Sequence, residues 1–328
     1  YVLEGSIQRS DDQIRVTAQL IDATTGHHLW TERYDRELKD IFALQDEITL
    51  KILTALQVEL TEGEQARLWG TTNNLEAWGN LIKGADLFEQ FTKQSNSRAQ
   101  QRFERAARLD PNWDIAWTML AWTHWAEATF GWSESPTESI KRAIENAQKA
   151  AAINDTLPEV HSLWSNIYLA QGEYDKAISA GEKAIALGPN NALCHILLSH
   201  TMTSAGRFEE AIELAEKAMR LSPYSSAWYL MMIDDAYRMA GRYEEALAIG
   251  KQHLDRCFKG ECEPFTAHMG LAATYVGLVS IEEARSHVTE LFKIMPDLSV
   301  DKARKMISFK DTVHVERSLD ALRRAGLP

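Results

Sequence analysis

A six-residue motif occurs three times in the second half of the chain at nearly constant spacing. Its copies read GEYDKA at 172–177, GRFEEA at 206–211 and GRYEEA at 241–246. A second motif, leucine followed by any residue and then proline, occurs at 187–189 and again 34 residues later at 221–223. A fixed period of this length predicts stacked helix pairs, because a single pair would leave in water an apolar face that only its neighbours can bury.

Helix packing explains the residue types in both motifs. Small residues let the two helices of a pair approach, the aromatic residue fills the space at the turn, and proline ends the second helix. We therefore predict a mainly α protein built around an α-solenoid of about six helix pairs, the second of which carries an insertion around 131–136. The predicted pairs are 75–111, 112–155, 156–189, 190–223, 224–260 and 262–296.

The N-terminal region follows a different pattern, in which apolar and polar residues alternate. The alternation is clearest in QIRVTAQL at 13–20 and is the spacing of a β-strand. Turn residues at 10–12 and 22–26 divide the region into three runs, which predicts a small three-stranded antiparallel β meander. From Asp40 onward apolar residues recur every three or four positions, so we expect an amphipathic helix that covers one face of the meander.

The helix pairs resemble tetratricopeptide repeats. In the first two pairs the resemblance rests on Phe103, Ala106, Pro111, Trp117, Leu120 and Ala121. The N-terminal region resembles the second half of the TolB-like domain, which precedes tetratricopeptide repeats in many bacterial class III adenylate and guanylate cyclases and in some winged-helix regulators. The segments that carry this second resemblance are YVLEGS at 1–6, RVTAQLID at 15–22, WTERYD at 30–35 and DIFALQDE at 40–47.

Together the two resemblances imply three regions. They are a partial TolB-like module at 1–62, a tetratricopeptide superhelix at 63–296 and a closing helical segment at 297–328. The first half of the TolB-like domain, and any cyclase or DNA-binding domain ahead of it, does not precede these segments in the sequence. The resemblance therefore implies a regulatory or interaction segment of a larger bacterial signalling protein, and it implies no catalytic residue on this chain.

Composition and charge narrow the classes of ligand. The formal net charge of -12, without a basic run interleaved with aromatic residues, argues against nucleic acid. No apolar run approaches the roughly 20 residues that span a bilayer, so we expect no membrane insertion by this segment. A cytoplasmic location is expected, and a signal or anchor upstream of Tyr1 stays open. Cys194, Cys257 and Cys262 form no paired CxxC arrangement and are predicted to be structural or incidental thiols.

Motifs for catalysis are absent from the sequence. It contains no HExxH, no GxSxG and no phosphate-binding loop, and its serines and cysteines have no base that the sequence identifies. An enzyme would need a cluster of titratable groups in a cleft, which the sequence does not display. We therefore predict no catalytic residue, no metal site and no cofactor.

The repeat register places a set of side chains on the concave inner face of the solenoid. Trp122 and Trp125 fall at such positions in the second pair, and Asn166, His200 and Asp235 follow in later pairs. Tryptophan is enriched at binding hot spots, which favours a groove that binds a protein or peptide. In the alternative interpretation, the insertion folds over both tryptophans and buries them in the core.

The sequence thus predicts a scaffold for protein–protein interaction that binds a peptide or a partner domain and regulates an attached output domain. Two other classes stay open. One is a small-molecule-binding or enzymatic module built from the N-terminal region and the insertion. The other is a self-association module that forms homo-oligomers through the ends of the solenoid or through the edge of the sheet.

Overall fold

The computed structural model describes residues 2–21, 28–37, 72, 74–223, 225–307 and 309–328. The chain divides into two compact units, residues 1–73 and 74–328. The helix predicted from Asp40, and the predicted boundary between residues 62 and 63, lie outside the described residues. The predicted division into 1–62, 63–296 and 297–328 therefore stays a prediction.

The first unit contains a three-stranded antiparallel sheet, as the alternating pattern predicts. Its strands β1 (Val2–Ser10), β2 (Gln13–Ile21) and β3 (His28–Glu37) lie in the order β1-β2-β3. Ile14 on β2 and Tyr34 on β3 are buried on one face, since side chains two residues apart on a strand point to the same side. The sheet is thus the predicted meander.

The second unit is entirely helical among its described residues and contains fourteen helices. They are α1 (Leu75–Glu89), α2 (Lys93–Leu109), α3 (Asp114–Thr129), α4 (Pro136–Ile153), α5 (Pro158–Ala170), α6 (Tyr174–Leu187), α7 (Ala192–Ser204), α8 (Phe208–Leu221), α9 (Ala227–Met239), α10 (Tyr243–Phe258), α11 (Phe265–Gly277), α12 (Ile281–Ile294), α13 (Val300–Met306) and α14 (Thr312–Arg324). The first twelve form the six predicted antiparallel pairs.

The packing of the pairs decides which helices face inward. The first helices of the pairs, from α1 to α11 in odd numbers, pack on one another consecutively. The second helices, from α2 to α12 in even numbers, pack instead on the first helices before and after them. The first helices therefore line the inner, concave face of the solenoid, and the second helices form its outer face.

The turn inside each pair needs one residue in the left-handed region. Gly172, Gly206 and Gly241 take this conformation with φ of 75°, 84° and 78°, which explains the glycine that starts the repeated motif. Phe91 and Val279 take it in the first and last pairs with φ of 51° and 61°. These two turns have the same backbone without the glycine that marks it in the sequence.

Close contact between helices explains the other small residues. A Cβ atom placed on Gly181 of α6 would lie 2.6 Å from Cδ1 of Leu198 on α7. Ala177 and Ala211, which end two copies of the motif, are fully buried. Helix pairs that approach this closely leave no space for a larger side chain at these positions.

The C-terminal residues turn back along the solenoid. Apolar residues of α13 and α14, among them Leu319 and Leu322, join the core of the last helix pair. The segment before α14 reaches earlier pairs, because the backbone N–H of Lys310 donates to the carbonyl of Ser204 at 2.8 Å. His314 packs edge-on against Phe208 with ring centroids 4.9 Å apart. This segment therefore contacts the side of the solenoid as well as its end.

Candidate functional site

Three of the predicted site residues occupy one equivalent position on neighbouring first helices. Asn166, His200 and Asp235 lie on α5, α7 and α9, each six residues before the left-handed glycine of its turn. Because α5, α7 and α9 pack side by side, equivalent positions lie next to one another across the inner face. We call these three residues, together with Arg238 on α9, the inner polar row.

Asn166 begins the inner polar row with one satisfied and one unsatisfied group. Its side chain is buried, and Nδ2 donates to the carbonyl of Ser162 at 3.0 Å. Its Oδ1 atom is also buried, and no group of the described chain donates a hydrogen bond to it. An amide oxygen in this state keeps an unused capacity to accept a hydrogen bond.

His200 presents a second unsatisfied atom on the next helix. Its Nδ1 is buried and has no hydrogen-bond partner in the described part of the protein. Burial lowers the pKa of His200 below 6.5, against the opposing field of the Asp235 carboxylate. The imidazole is therefore neutral at pH 7, with one nitrogen able to donate and the other able to accept.

Asp235 and Arg238 end the row with a partly buried ion pair. Nη2 of Arg238 donates to Oδ1 of Asp235, and the two side chains are 12% and 35% exposed respectively. Nε of Arg238 is buried and, within the described residues, donates to nothing. The sequence analysis missed Arg238, although its spacing of three residues from Asp235 is the usual spacing of an ion pair on a helix.

Asp234 stands beside the row but points into the helix packing. In the two preceding pairs this position is Ser165 and Ser199, whose hydroxyls donate at 2.7 Å to the carbonyls of Ala177 and Ala211. Asp234 is 5% exposed, and its Oδ1 has no partner among the described residues. A carboxyl group thus replaces a small hydroxyl in the core.

The environment of Asp234 changes its titration. Burial raises the pKa of Asp234 from 3.8 to about 7, with Arg238 opposing the rise and Asp235 adding to it. A Cβ atom placed on Gly270 would lie 2.3 Å from Oδ2 of Asp234, so the Asp234 carboxyl group occupies the space above that glycine. Asp234 therefore keeps its proton to a higher pH than an ordinary aspartic acid.

Trp122 and Trp125 are buried and do not form an open aromatic surface. Each is 5% exposed, and their rings meet edge to face with centroids 5.1 Å apart. Nε1 of Trp125 donates to the backbone carbonyl of Asn166 at 3.3 Å. Phe130 and Trp132 of the insertion pack against the same core. The interpretation in which the insertion buries both tryptophans describes the structure, and their predicted exposure in the groove is wrong.

A contact between distant residues joins the first and fifth helix pairs. Ser226, just before α9, donates through its hydroxyl to Oε2 of Glu89 at the end of α1. Burial raises the pKa of Glu89, against the hydrogen bonds from Ser226 and Trp228. The first pair therefore contacts the start of α9, and Asp235 and Arg238 lie further along that helix.

An open cleft of about 630 Å³ lies between α6, α7 and α8. Its lining includes Glu182, Glu210 and Lys217 with His195, and it contains no serine, threonine or cysteine among the described residues. Nε2 of His195 donates to the carbonyl of Pro189 at 2.9 Å and so holds the ring at the junction between two pairs. The described lining of the cleft therefore offers no hydroxyl or thiol nucleophile.

Two of the three cysteines differ from their predicted state as thiols. Cys257 and Cys262 form a disulfide, whereas the sequence analysis treats both as thiols. Cys194 is buried on α7 and takes no part in the disulfide. His253 lies beside the two bonded cysteines, a neighbour that the sequence analysis did not identify.

A family model and one solved structure support the fold. A family model described as "Tetratricopeptide repeat" matches residues 168–232. The APC/C hetero-tetramer Cut9-Hcn1 contains a chain with the same fold, with a TM-score of 0.53 and 18% identity over 76% of this chain and 46% of that one. The pilus biogenesis factor PilW gives a TM-score of 0.47 and 16% identity, over 67% of this chain and 95% of that one.

A relative in sequence is a protein of Rhizobium meliloti (strain 1021) named "Putative adenylate cyclase 3". The two are 38% identical over 162 residues, which is 49% of this chain and 28% of that protein. The chain thus spans less than a third of this relative. The resemblance of residues 1–62 to a TolB-like domain stays a prediction. In the part of the chain that the structure describes, no helix is both long and apolar enough to span a bilayer.

Proposed function

We propose that the helical unit, which is a tetratricopeptide-repeat solenoid, binds an extended peptide segment of a partner protein along the inner polar row. One observation carries the proposal. Asn166 Oδ1, His200 Nδ1 and Arg238 Nε are buried and unsatisfied on three consecutive inner helices. In folded proteins about nine in ten buried polar groups have a hydrogen-bond partner, so unsatisfied groups in a row favour a ligand that supplies the partners.

The geometry of the solenoid suits an extended ligand. Packed helices lie about 8–10 Å apart, and an extended chain advances about 3.3 Å per residue. Every third ligand residue would therefore meet the next inner helix, and roughly seven residues would cross α5, α7 and α9. Asn166 accepts a backbone N–H of the ligand, Arg238 donates to a carbonyl or carboxylate, and the partly exposed Asp235 favours a basic ligand side chain.

The proposal extends to the larger protein. The similarity to part of the rhizobial relative supports a regulatory segment of a bacterial signalling protein such as an adenylate cyclase. The cyclase chemistry then belongs to another part of that protein, and this chain contributes binding without turnover. A cytoplasmic location is part of the same proposal, because the substrate of a cyclase is a cytoplasmic nucleotide.

A phage-displayed library of random 12-residue peptides tests the binding proposal. We expect selection on the wild-type chain to enrich peptides that bind it and that bind Asn166→Ala and Arg238→Ala at least about tenfold more weakly, the loss expected for one or two buried hydrogen bonds. Glu213→Ala, on the outer helix α8, is the matched control and should bind like wild type. Enriched peptides that bind all four proteins equally would overturn the proposal.

Self-association is the second candidate, because a solenoid has two ends that can bind a copy of the same chain. Sedimentation of the chain over a hundredfold range of concentration separates the two candidates. A monomer throughout, with peptide binding, supports the inner-face proposal. A dimer whose formation is unaffected by Asn166→Ala favours contact through the ends.

A further inference from the structure

The junction between α10 and α11 departs from the repeat in a way that concentrates metal-binding side chains. At the earlier junctions a leucine–x–proline sequence ends the second helix at 187–189 and 221–223. In the repeat register the fifth pair has no proline there, and α10 continues to Phe258. Cys257, inside α10, has the register position of Gly188 and Ser222, which cap the two preceding second helices, and Cys262 follows in the loop.

His253 is a second departure from the repeat at the same place. It lies twelve residues after Gly241, where the two preceding pairs have Ala184 and Ala218. Both alanines are fully buried, and His253 is only 2% exposed. A buried imidazole in place of a methyl group must fit a specific environment, since a polar ring is costly to bury without partners.

His253, Cys257 and Cys262 bring three ligand atoms together. An imidazole nitrogen and the two sulfur atoms all lie within 4.8 Å of one another. His253 and Cys257 are four residues apart on one face of α10, and both are buried, whereas Cys262 is half-buried. The helix therefore fixes two of the ligands, and the loop brings the third.

Bonds other than the disulfide hold the loop in place. The backbone N–H of Gly260 donates to the carbonyl of Cys257 at 2.9 Å, with Gly260 in the left-handed region at φ 88°. Arg256 donates through Nε to Glu261 at 2.7 Å and through Nη1 to the carbonyl of Ser225 at 2.6 Å. Cleavage of the sulfur–sulfur bond would leave these contacts intact, so Cys262 would stay close to Cys257.

We propose that His253, Cys257 and Cys262 bind one zinc-class metal ion when the disulfide is reduced. Two thiolates and one imidazole are the ligands that soft and borderline divalent cations prefer, and the spacing of four residues between the cysteines is within the range of zinc sites. A water molecule completes four-coordination. In the oxidised protein the two sulfur atoms are bonded to each other, and in the reduced protein both bind the metal. The disulfide and the metal site therefore cannot be present at the same time.

A water-soluble phosphine can reduce the disulfide and so prepare the metal site. The phosphine cleaves the disulfide, takes an oxygen atom from water to become a phosphine oxide, and leaves two thiols with the two protons. Binding of the divalent ion then displaces both thiol protons, because the thiolate is the form that ligates a metal. The reduced site gains a 2+ ion and loses two protons, so its net charge does not change.

Cobalt(II) serves as a spectroscopic probe of this site in the intact chain. We expect the phosphine-reduced protein, freed of reductant, to bind one equivalent of Co²⁺ with a sulfur-to-metal charge-transfer band, and one equivalent of Zn²⁺ to abolish the band. The oxidised protein should show no such band. His253→Gln should weaken Zn²⁺ binding by more than the roughly 10- to 100-fold that loss of an outer-shell partner costs.

Control variants separate this site from other ligands in the chain. Cys262→Ser should abolish the band, whereas Cys194→Ala and His161→Gln, which lie in other helix pairs, should keep it. Circular dichroism confirms that each variant folds. If a variant does not fold, a measurement on the reduced wild-type protein takes its place. There Zn²⁺ should slow the alkylation of Cys257 and Cys262 by iodoacetamide, which mass spectrometry detects. A band that persists in Cys262→Ser, or alkylation that Zn²⁺ leaves unchanged, would overturn the proposal.

Discussion

Replacement of Asp234 by asparagine should stabilise the protein at high pH and have little effect at low pH. Burial is the main reason that the pKa of Asp234 is raised to about 7 in the folded protein, from its ordinary value of 3.8. Between these values the folded state keeps a proton that the unfolded state releases, so the stability of the wild type falls as pH rises from about 4 to 7. The full difference corresponds to about 4 kcal/mol, at roughly 1.36 kcal/mol for each tenfold change in acidity.

Asparagine has the same shape as aspartic acid and does not ionise, so Asp234→Asn removes this loss. At about pH 4.5 only about 1 kcal/mol of the difference has developed, and at about pH 8 nearly all of it has. Urea unfolding followed by circular dichroism at the two pH values measures the gap between variant and wild type. We expect that gap to widen by about 3 kcal/mol from the lower to the higher pH.

The comparison between proteins cancels other titrations. The buried histidines contribute to the pH profile of both proteins alike, so the difference between the profiles reports Asp234. The exposed Asp320→Asn on α14 controls for the loss of one carboxylate from the whole chain. A gap that is the same at both pH values, or a variant less stable than wild type at about pH 8, would refute the reasoning.

Three further changes test the packing. Val279→Gly should raise the free energy of unfolding by about 1 kcal/mol, because a β-branched residue is strained at φ 61°; an unchanged thermal midpoint would contradict this. Gly181→Ala should lower the free energy of unfolding by about 1–3 kcal/mol, because the added methyl group would contact Leu198. Urea unfolding measures this loss, and an unchanged stability would mean that the helices separate without cost. Trp125→Phe should lower the free energy of unfolding by about 1 kcal/mol through loss of the bond to Asn166, and the part of the emission that this change removes should resist acrylamide; a removed part that is readily quenched would argue against burial.

The repeat period was sufficient to predict the helix pairs because most turns inside the pairs leave a characteristic residue type in the sequence. Glycine marks the left-handed position at 172, 206 and 241, and the structure has that backbone there. Phe91 and Val279 adopt the same conformation without the glycine, so local residue type cannot reveal those turns. In the first and last pairs the packing of whole helices overrides the preference of a single residue.

The repeat register of the second pair explains why Trp122 and Trp125 are buried although the sequence placed them in the groove. Helix α3 has 16 residues, whereas α5 has 13, so positions counted from its start and from its end no longer coincide. Trp122 matches Asn166 when counted from the start, and Trp125 matches it when counted from the turn. The longer helix and the aromatic insertion place both rings in the core, which the repeat period alone could not show.

Two contacts within single helices were not identified from the sequence. Arg238 joins the inner polar row through its ion pair with Asp235, and His253 lies near Cys257 because the two are four residues apart on α10. Both pairs have ordinary helix spacing, so the sequence carried a signal for each. The sequence analysis treated the cysteines as structural or incidental thiols and did not consider His253, and the position of Cys262 beside His253 and Cys257 depends on the fold of the loop.

Hydrogen–deuterium exchange with a peptide selected from the random library tests the central claim most directly. The solenoid is compared with and without the peptide, and protection is read on α5, α7 and α9 against α6, α8 and α10. The account predicts that protection appears on the inner helices around Asn166, His200 and Arg238 and disappears in Asn166→Ala. Protection confined to the outer helices would contradict it and place binding on the opposite face.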